Sequence, residues 1–123
     1  MSEDHKHRAR IFLHRGDLIQ ARAAWEAAVA DDRTAGNQRE LSNSLGNLGN
    51  TCALMDDFAA AERCYREVLD IQRTEHNEHA IAHTLVNLGN LHIGADCAEK
   101  ARPYYLEALD LLHALSDDRA LGI

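Results

Sequence analysis

Residues 45–50 read Leu-Gly-Asn-Leu-Gly-Asn, and residues 85–90 read Leu-Val-Asn-Leu-Gly-Asn. The two phrases stand 40 residues apart, and the agreement extends well beyond them. Asn37 returns as Asn77, Asp56 as Asp96, Ala61 as Ala101, Tyr65 as Tyr105, and Glu67, Leu69 and Asp70 as Glu107, Leu109 and Asp110. Self-similarity at one fixed offset of this size marks a repeat array, in which each unit buries its apolar face by stacking on a neighbour.

Around the phrase, apolar residues recur at spacings of three and four, the period of a helix with one buried stripe. Leu41, Leu45, Leu48 and Cys52 place such a stripe on a helix that Asn37 caps, with Glu40 three residues on in a capping-box arrangement. Asp56-Asp57 ends it, and a helix over about 58–73 follows through Phe58, Ala61, Tyr65, Val68 and Leu69. Asn77 caps the next, with Ile81, Leu85, Leu88 and His92 on one face, and the last runs over about 97–114 with Pro103 near its start. Upstream, residues 4–14 predict a short polar helix and residues 17–31 a second, through Leu18, Ala21, Ala24, Trp25, Ala28 and Val29, with a loop from Asp31 to Gly36. The expectation is an all-α chain: an α-α superhelix, or solenoid, of three helix pairs over residues 2–35, 37–74 and 77–115, forming one domain across 1–123. Asp117 stands 40 residues after Asn77 and predicts the start of a further helix over 117–123.

Within the pairs, Leu48-Gly49 with Ala61 and Tyr65, and Leu88-Gly89 with Ala101 and Tyr105, resemble the tetratricopeptide pattern. Phe12, Ala21 and Trp25 carry half of it in the first pair, where His5, Arg8 and Ala9 depart from it. The period of 40 exceeds the family's usual 34, and the closing proline is replaced by Arg33, Arg73 and His113. The longer unit with its Asn-Leu-Gly-Asn is similar to the extended repeats of kinesin light chains and of bacterial signalling regulators. Gly49 and Gly89 fall mid-helix, where glycine costs about 1 kcal/mol relative to alanine. Close approach of the paired helices, small residue against small residue with the tyrosine beside them, offsets that cost.

Composition narrows the function classes. The net charge is −7, and the seven acidic and seven basic residues of 1–40 cancel, so the excess lies beyond residue 40. A nucleic-acid binder needs a basic face for phosphate, which only the first fifteen residues could supply. No run of apolar residues is long enough for a membrane span, and the N-terminus lacks the apolar stretch of a signal peptide. Cys52, Cys64 and Cys97 are odd in number with no Cys-x-x-Cys, which predicts reduced thiols in a cytoplasmic protein rather than a disulfide framework.

The resemblance implies a protein-binding module whose first helices line a concave groove for an extended peptide. Asn47 and Asn50 share a polar stripe, as do Asn87 and Asn90, and stacking would set them in a ladder. Each asparagine offers a donor and an acceptor to a peptide backbone, and related tetratricopeptide proteins use such ladders. Lys6, Arg10 and His83 would make the groove more basic than the rest of the molecule and favour an acidic peptide. They do not reproduce the carboxylate clamp of chaperone-binding members: Lys6 and Asn47 match it, but Arg10, His83 and Asn87 stand where other residues are expected. His79 and His83 have the spacing of two zinc ligands but no further ligand nearby, so surface histidines are expected and no metal or other cofactor. No nucleophile stands near a base, and Gly46 to Gly49 lies inside a helix rather than in a phosphate loop, so no enzyme is expected. The rival reading is a self-associating scaffold using an open apolar edge at the C-terminal helices, or a fragment of a larger signalling regulator.

Overall fold

The computed structural model describes the backbone of residues 2–120 and the side chains of residues 3–116. Six helices follow one another: α1 (Ser2–His14), α2 (Leu18–Ala35), α3 (Gln38–Leu54), α4 (Phe58–Thr74), α5 (Glu78–Gly94) and α6 (Ala98–Ala120). The described residues contain no strand. Residues up to Val68 form one compact unit and those from Leu69 a second, the boundary falling inside α4.

The helices are cut to length by one device used five times. Gly16, Gly36, Asp56, His76 and Asp96 have φ of 77°, 70°, 60°, 56° and 61°, in the left-handed region. They stand 20 residues apart. After each, the next amide turns back to a carbonyl five residues earlier, as Asp17 N–H does to Phe12 (2.8 Å) and Asp57 N–H to Cys52 (2.9 Å). This is the Schellman closure of a helix end. The residue that closes one helix then caps the next. Asp17, Asn37, Asp57 and Asn77 accept a side-chain hydrogen bond from the amide three residues on, at 3.3, 3.1, 3.2 and 3.3 Å. Cys97 is the exception: its thiol faces the carbonyl of Ala95 (3.6 Å), and α6 starts without a side-chain oxygen at its cap.

In the first unit α1 packs on α2 and α2 on α3; in the second α5 packs on α6. Ala21, Trp25, Leu41, Leu45, Leu48 and Ala61 form the core of the first, and Ile81, Leu85, Leu88 and Ala101 that of the second. The mid-helix glycines are where paired helices meet most closely. A Cβ on Gly49 would lie 2.8 Å from Tyr65 Cε1, and one on Gly89 would lie 2.5 Å from Tyr105 Cε1. The glycine therefore faces the tyrosine ring itself, rather than a small residue with the ring beside it as the sequence suggested.

Two helix ends differ from expectation. α2 runs to Ala35, through the Asp31–Thr34 stretch expected as loop, because Asp32 is buried on the inner face instead of breaking the helix. α6 continues through residue 117, where a break and a new cap were expected. The earlier breaks use glycine, aspartate or histidine; the matching position here is Ser116, which follows a run of good helix formers. The Asp117 side chain and residues 121–123 lie outside the described residues, as does the further helix expected there.

Candidate functional site

The asparagines of α3 and α5 lie on polar stripes with matching hydrogen bonds. On α3, Asn47 is half-buried and Asn50 exposed. Asn47 Nδ2 donates to the Asn43 carbonyl one turn back (3.0 Å), and the Thr51 hydroxyl donates to the Asn47 carbonyl (2.9 Å). Asn50 Oδ1 accepts the hydroxyl proton of Tyr65, whose ring lies over Gly49. On α5 the pattern returns: Tyr105 OH donates to Asn90 Oδ1 (2.6 Å) beside Gly89. Asn50 and Asn90 thus latch the tyrosines that press on the adjacent glycines, a packing task that sequence reasoning did not assign to them. The clue lay in the repeat: asparagine and tyrosine recur together at the same separation of fifteen. Each latch leaves the asparagine Nδ2 unused among the described residues, and Asn47 likewise keeps its Oδ1. Asn87 is half-buried on the same helix as Asn90.

The three expected cations fare differently. His83 is exposed on α5. Arg10 is exposed, with its guanidinium 5.6 Å from the centre of the buried Trp25 ring, within cation–π range. Lys6 is only 4% exposed. Its ammonium donates to Glu40 and lies 3.5 Å from the buried Asp32 and 3.6 Å from Glu3. Asp32 in turn accepts the Ser44 hydroxyl (2.6 Å). Burial pulls the Lys6 pKa down, but the Glu40 hydrogen bond and the charges of Asp32, Glu40 and Glu3 outweigh it and hold the ammonium above the ordinary lysine value. Lys6 is thereby engaged inside the fold, where its charge compensates a buried carboxylate, and does not present itself to a groove. Glu40 spends its carboxylate on Lys6, so the expected capping box has the Asn37 half, with the Glu40 carboxylate turned to Lys6 instead of back to the cap. The second unit repeats this clasp without charge: the Thr84 hydroxyl donates to Gln72 (2.7 Å). Forty residues after Lys6 stands Gly46, and after Glu40, Ala80.

Ion pairs tie the second helices of the repeats at matching places, Arg33 to Glu67 (2.5 Å) and Arg73 to Glu107 (2.8 Å). Arg22 holds Asp57 (2.9 Å), and that guanidinium, with the Ala60 amide, keeps the Asp57 carboxyl below the usual carboxylate range. His79 is exposed like His83, and among the described residues no cluster of three or more histidine, cysteine or acidic side chains is placed to hold a metal ion. No helix among them is long and apolar enough to cross a membrane.

The family model for the tetratricopeptide repeat matches residues 4–74, more than half of the chain. The chain belongs to the tetratricopeptide-repeat family. A search of curated protein sequences finds no match. Among solved structures, this tetratricopeptide-repeat protein is similar to the TPR domain of Arabidopsis FLU, at 16% identity and TM-score 0.81, covering 92% of this chain and 95% of that one. It is also similar to BtubC (BKLC) from P. vanneervenii, at 18% identity and TM-score 0.84, covering 94% of this chain and 48% of that one. At these identities the likeness is one of fold. The tetratricopeptide fold is in general a protein–protein interaction module.

Proposed function

We infer that the protein binds an extended, acidic peptide segment of a protein partner through the asparagines of α3, a chemistry that α5 repeats in the second unit. The observation that carries this reading is the capacity left over on α3. Asn47 keeps an acceptor and Asn50 its donors, three residues apart on one stripe, and a peptide residue brings one N–H and one C=O to match. The Asn87–Asn90 pair on α5 repeats the chemistry. Arg10 and His83 supply the preference for acidic side chains, Lys6 having been withdrawn. The three cysteines are free, which suits a reducing compartment such as the cytoplasm.

Titration of the 15N-labelled chain with an extended acidic peptide tests this directly. The side-chain amides of Asn47, Asn50, Asn87 and Asn90 are expected to shift in a saturable way. Asn50→Asp keeps the acceptor for Tyr65 but deletes the donors, and should weaken binding by roughly tenfold with the fold unchanged. Binding that moves none of these amides sinks the reading.

A second reading has its own observation. Leu106, Leu109 and Leu112 are 48%, 49% and 44% exposed at a spacing of three along α6, an apolar strip that another copy of the chain could cover. Light scattering separates the two: a strict monomer at high concentration rules out self-association through α6, and Leu109→Glu should dissolve any dimer made there.

A further inference from the structure

The unit ending at Val68 carries an open groove of about 420 Å³ lined from α2, α3 and α4. Val29, Leu45 and Leu48 give it apolar walls, Cys52 and Cys64 line it from α3 and α4, and Arg63 stands at its rim. The repeat sets a different pair at the places of its two cysteines. Forty residues on, Cys52 becomes His92 and Cys64 becomes Tyr104. In the second unit these two rings stack on each other, centroids 5.5 Å apart and planes within 5°. Two small thiols thus stand in the first unit at the positions where the second carries two stacked rings. A groove of this volume, with apolar and charged side chains together in its lining, falls in the size range of small-molecule sites, typically about 300–1,000 Å³.

Charge selects the kind of molecule. Arg22, Arg33 and Arg63 line the groove together with Glu26 and Glu67, and Arg22 is held by Asp57 at 2.9 Å. Arg33 is spent on Glu67. Arg63 is exposed and forms no hydrogen bond or close ion pair with any described residue. A guanidinium in that state matches the geometry of a carboxylate, which it can grip with two parallel hydrogen bonds.

We propose that this groove binds a small aromatic anion, a planar ring system bearing a carboxylate, with its ring between α3 and α4 beside Cys64 and its carboxylate on Arg63. The probe is 2-naphthoate, with 2-naphthylmethanol as its uncharged counterpart and acetyl-Phe-Asp-amide as a peptide-borne version of the same chemistry. Binding to the full chain is followed by NMR at the backbone amides of Ala60 and Cys64. Naphthoate should shift both saturably, and the alcohol should bind at least tenfold more weakly. Arg63→Gln should erase that difference. Cys52→His combined with Cys64→Tyr transplants the ring pair of the second unit and should abolish binding with helix content unchanged by circular dichroism. If that variant does not fold, Ala60→Leu fills the same space from α4 and should do likewise. The proposal is overturned by the absence of a saturable shift at Ala60 and Cys64, by undiminished binding in a folded filled variant, or by the peptide binding there more tightly than naphthoate.

Discussion

Tyr65 and Tyr105 show how much one side chain can settle. Each ring lies on a glycine of the partner helix, and each hydroxyl is held by the asparagine next to that glycine. Gly49→Ala therefore forces the ring off its seat, at a cost of about 1–3 kcal/mol of overpacking against a gain of about 1 kcal/mol in helix propensity. We expect net destabilisation by denaturant melting, larger for Gly89→Ala because the approach to Tyr105 is closer. Gly46 is the control. Nothing lies within 4 Å of where its Cβ would be, so Gly46→Ala should stabilise by about 1 kcal/mol. Cys97 offers a gain of the same size. It is the one cap in the series without a side-chain oxygen, and Cys97→Ser should raise the unfolding free energy by about 1 kcal/mol in the same assay. The asparagines were readable as polar residues needing a reason; that half the reason is a tyrosine fifteen residues away requires the helices to be folded together.

Among the elements, α2 is the most instructive, because its last turns hold a buried charge. Asp31-Asp32-Arg33-Thr34 looks like a loop by composition, and Lys6 looks like a groove cation. Each impression fails for the same cause: Asp32 and Lys6 are partners inside the unit, with Ser44 and Glu40 completing their bonds. Single-residue polarity cannot reveal a pair whose members satisfy each other across helices. Lys6→Met removes the ammonium that stands 3.5 Å from the buried Asp32 carboxylate and should cost about 3–5 kcal/mol. Lys6→Met together with Asp32→Gln copies the neutral Gln72–Thr84 arrangement and should recover most of that loss, a coupling that a double-mutant cycle measures directly. The breaks at Gly36 and Asp56, by contrast, were readable from a glycine or an aspartate ahead of the next helix, since that chemistry is local.

For the molecule as a whole, the repeat period was sufficient to foresee an all-α chain of helix pairs, because periodic burial needs no knowledge of individual contacts. The groove was not foreseeable in the same way: its lining comes from three helices that must first be folded together. Buried titratable groups also give the whole chain an alkaline limit. Burial lifts the Cys64 thiol from 9.0 to about 11 and the Tyr65 phenol from 10.0 to about 12, and Lys6 is raised above 10.5. A group whose pKa is higher folded than unfolded contributes its full share below the unfolded value and loses it as pH rises through the folded one. Denaturant midpoints should therefore be flat up to about pH 9 and fall between about pH 9 and 12. Tyr65→Phe and Cys64→Ala should each remove part of that slope.

The charged clasp has a bearing on how such an array can grow. A copy of residues 37–76 inserted after the original sets Gln72 against another Ser44, an uncharged junction like the one already made with Thr84. A copy of the first repeat set after itself would instead bring Asp4, forty residues before Ser44, against Asp32, putting a second carboxylate where the Ser44 hydroxyl now donates. Tandem duplication can thus lengthen this chain from its middle, while its opening repeat is confined to the position it holds.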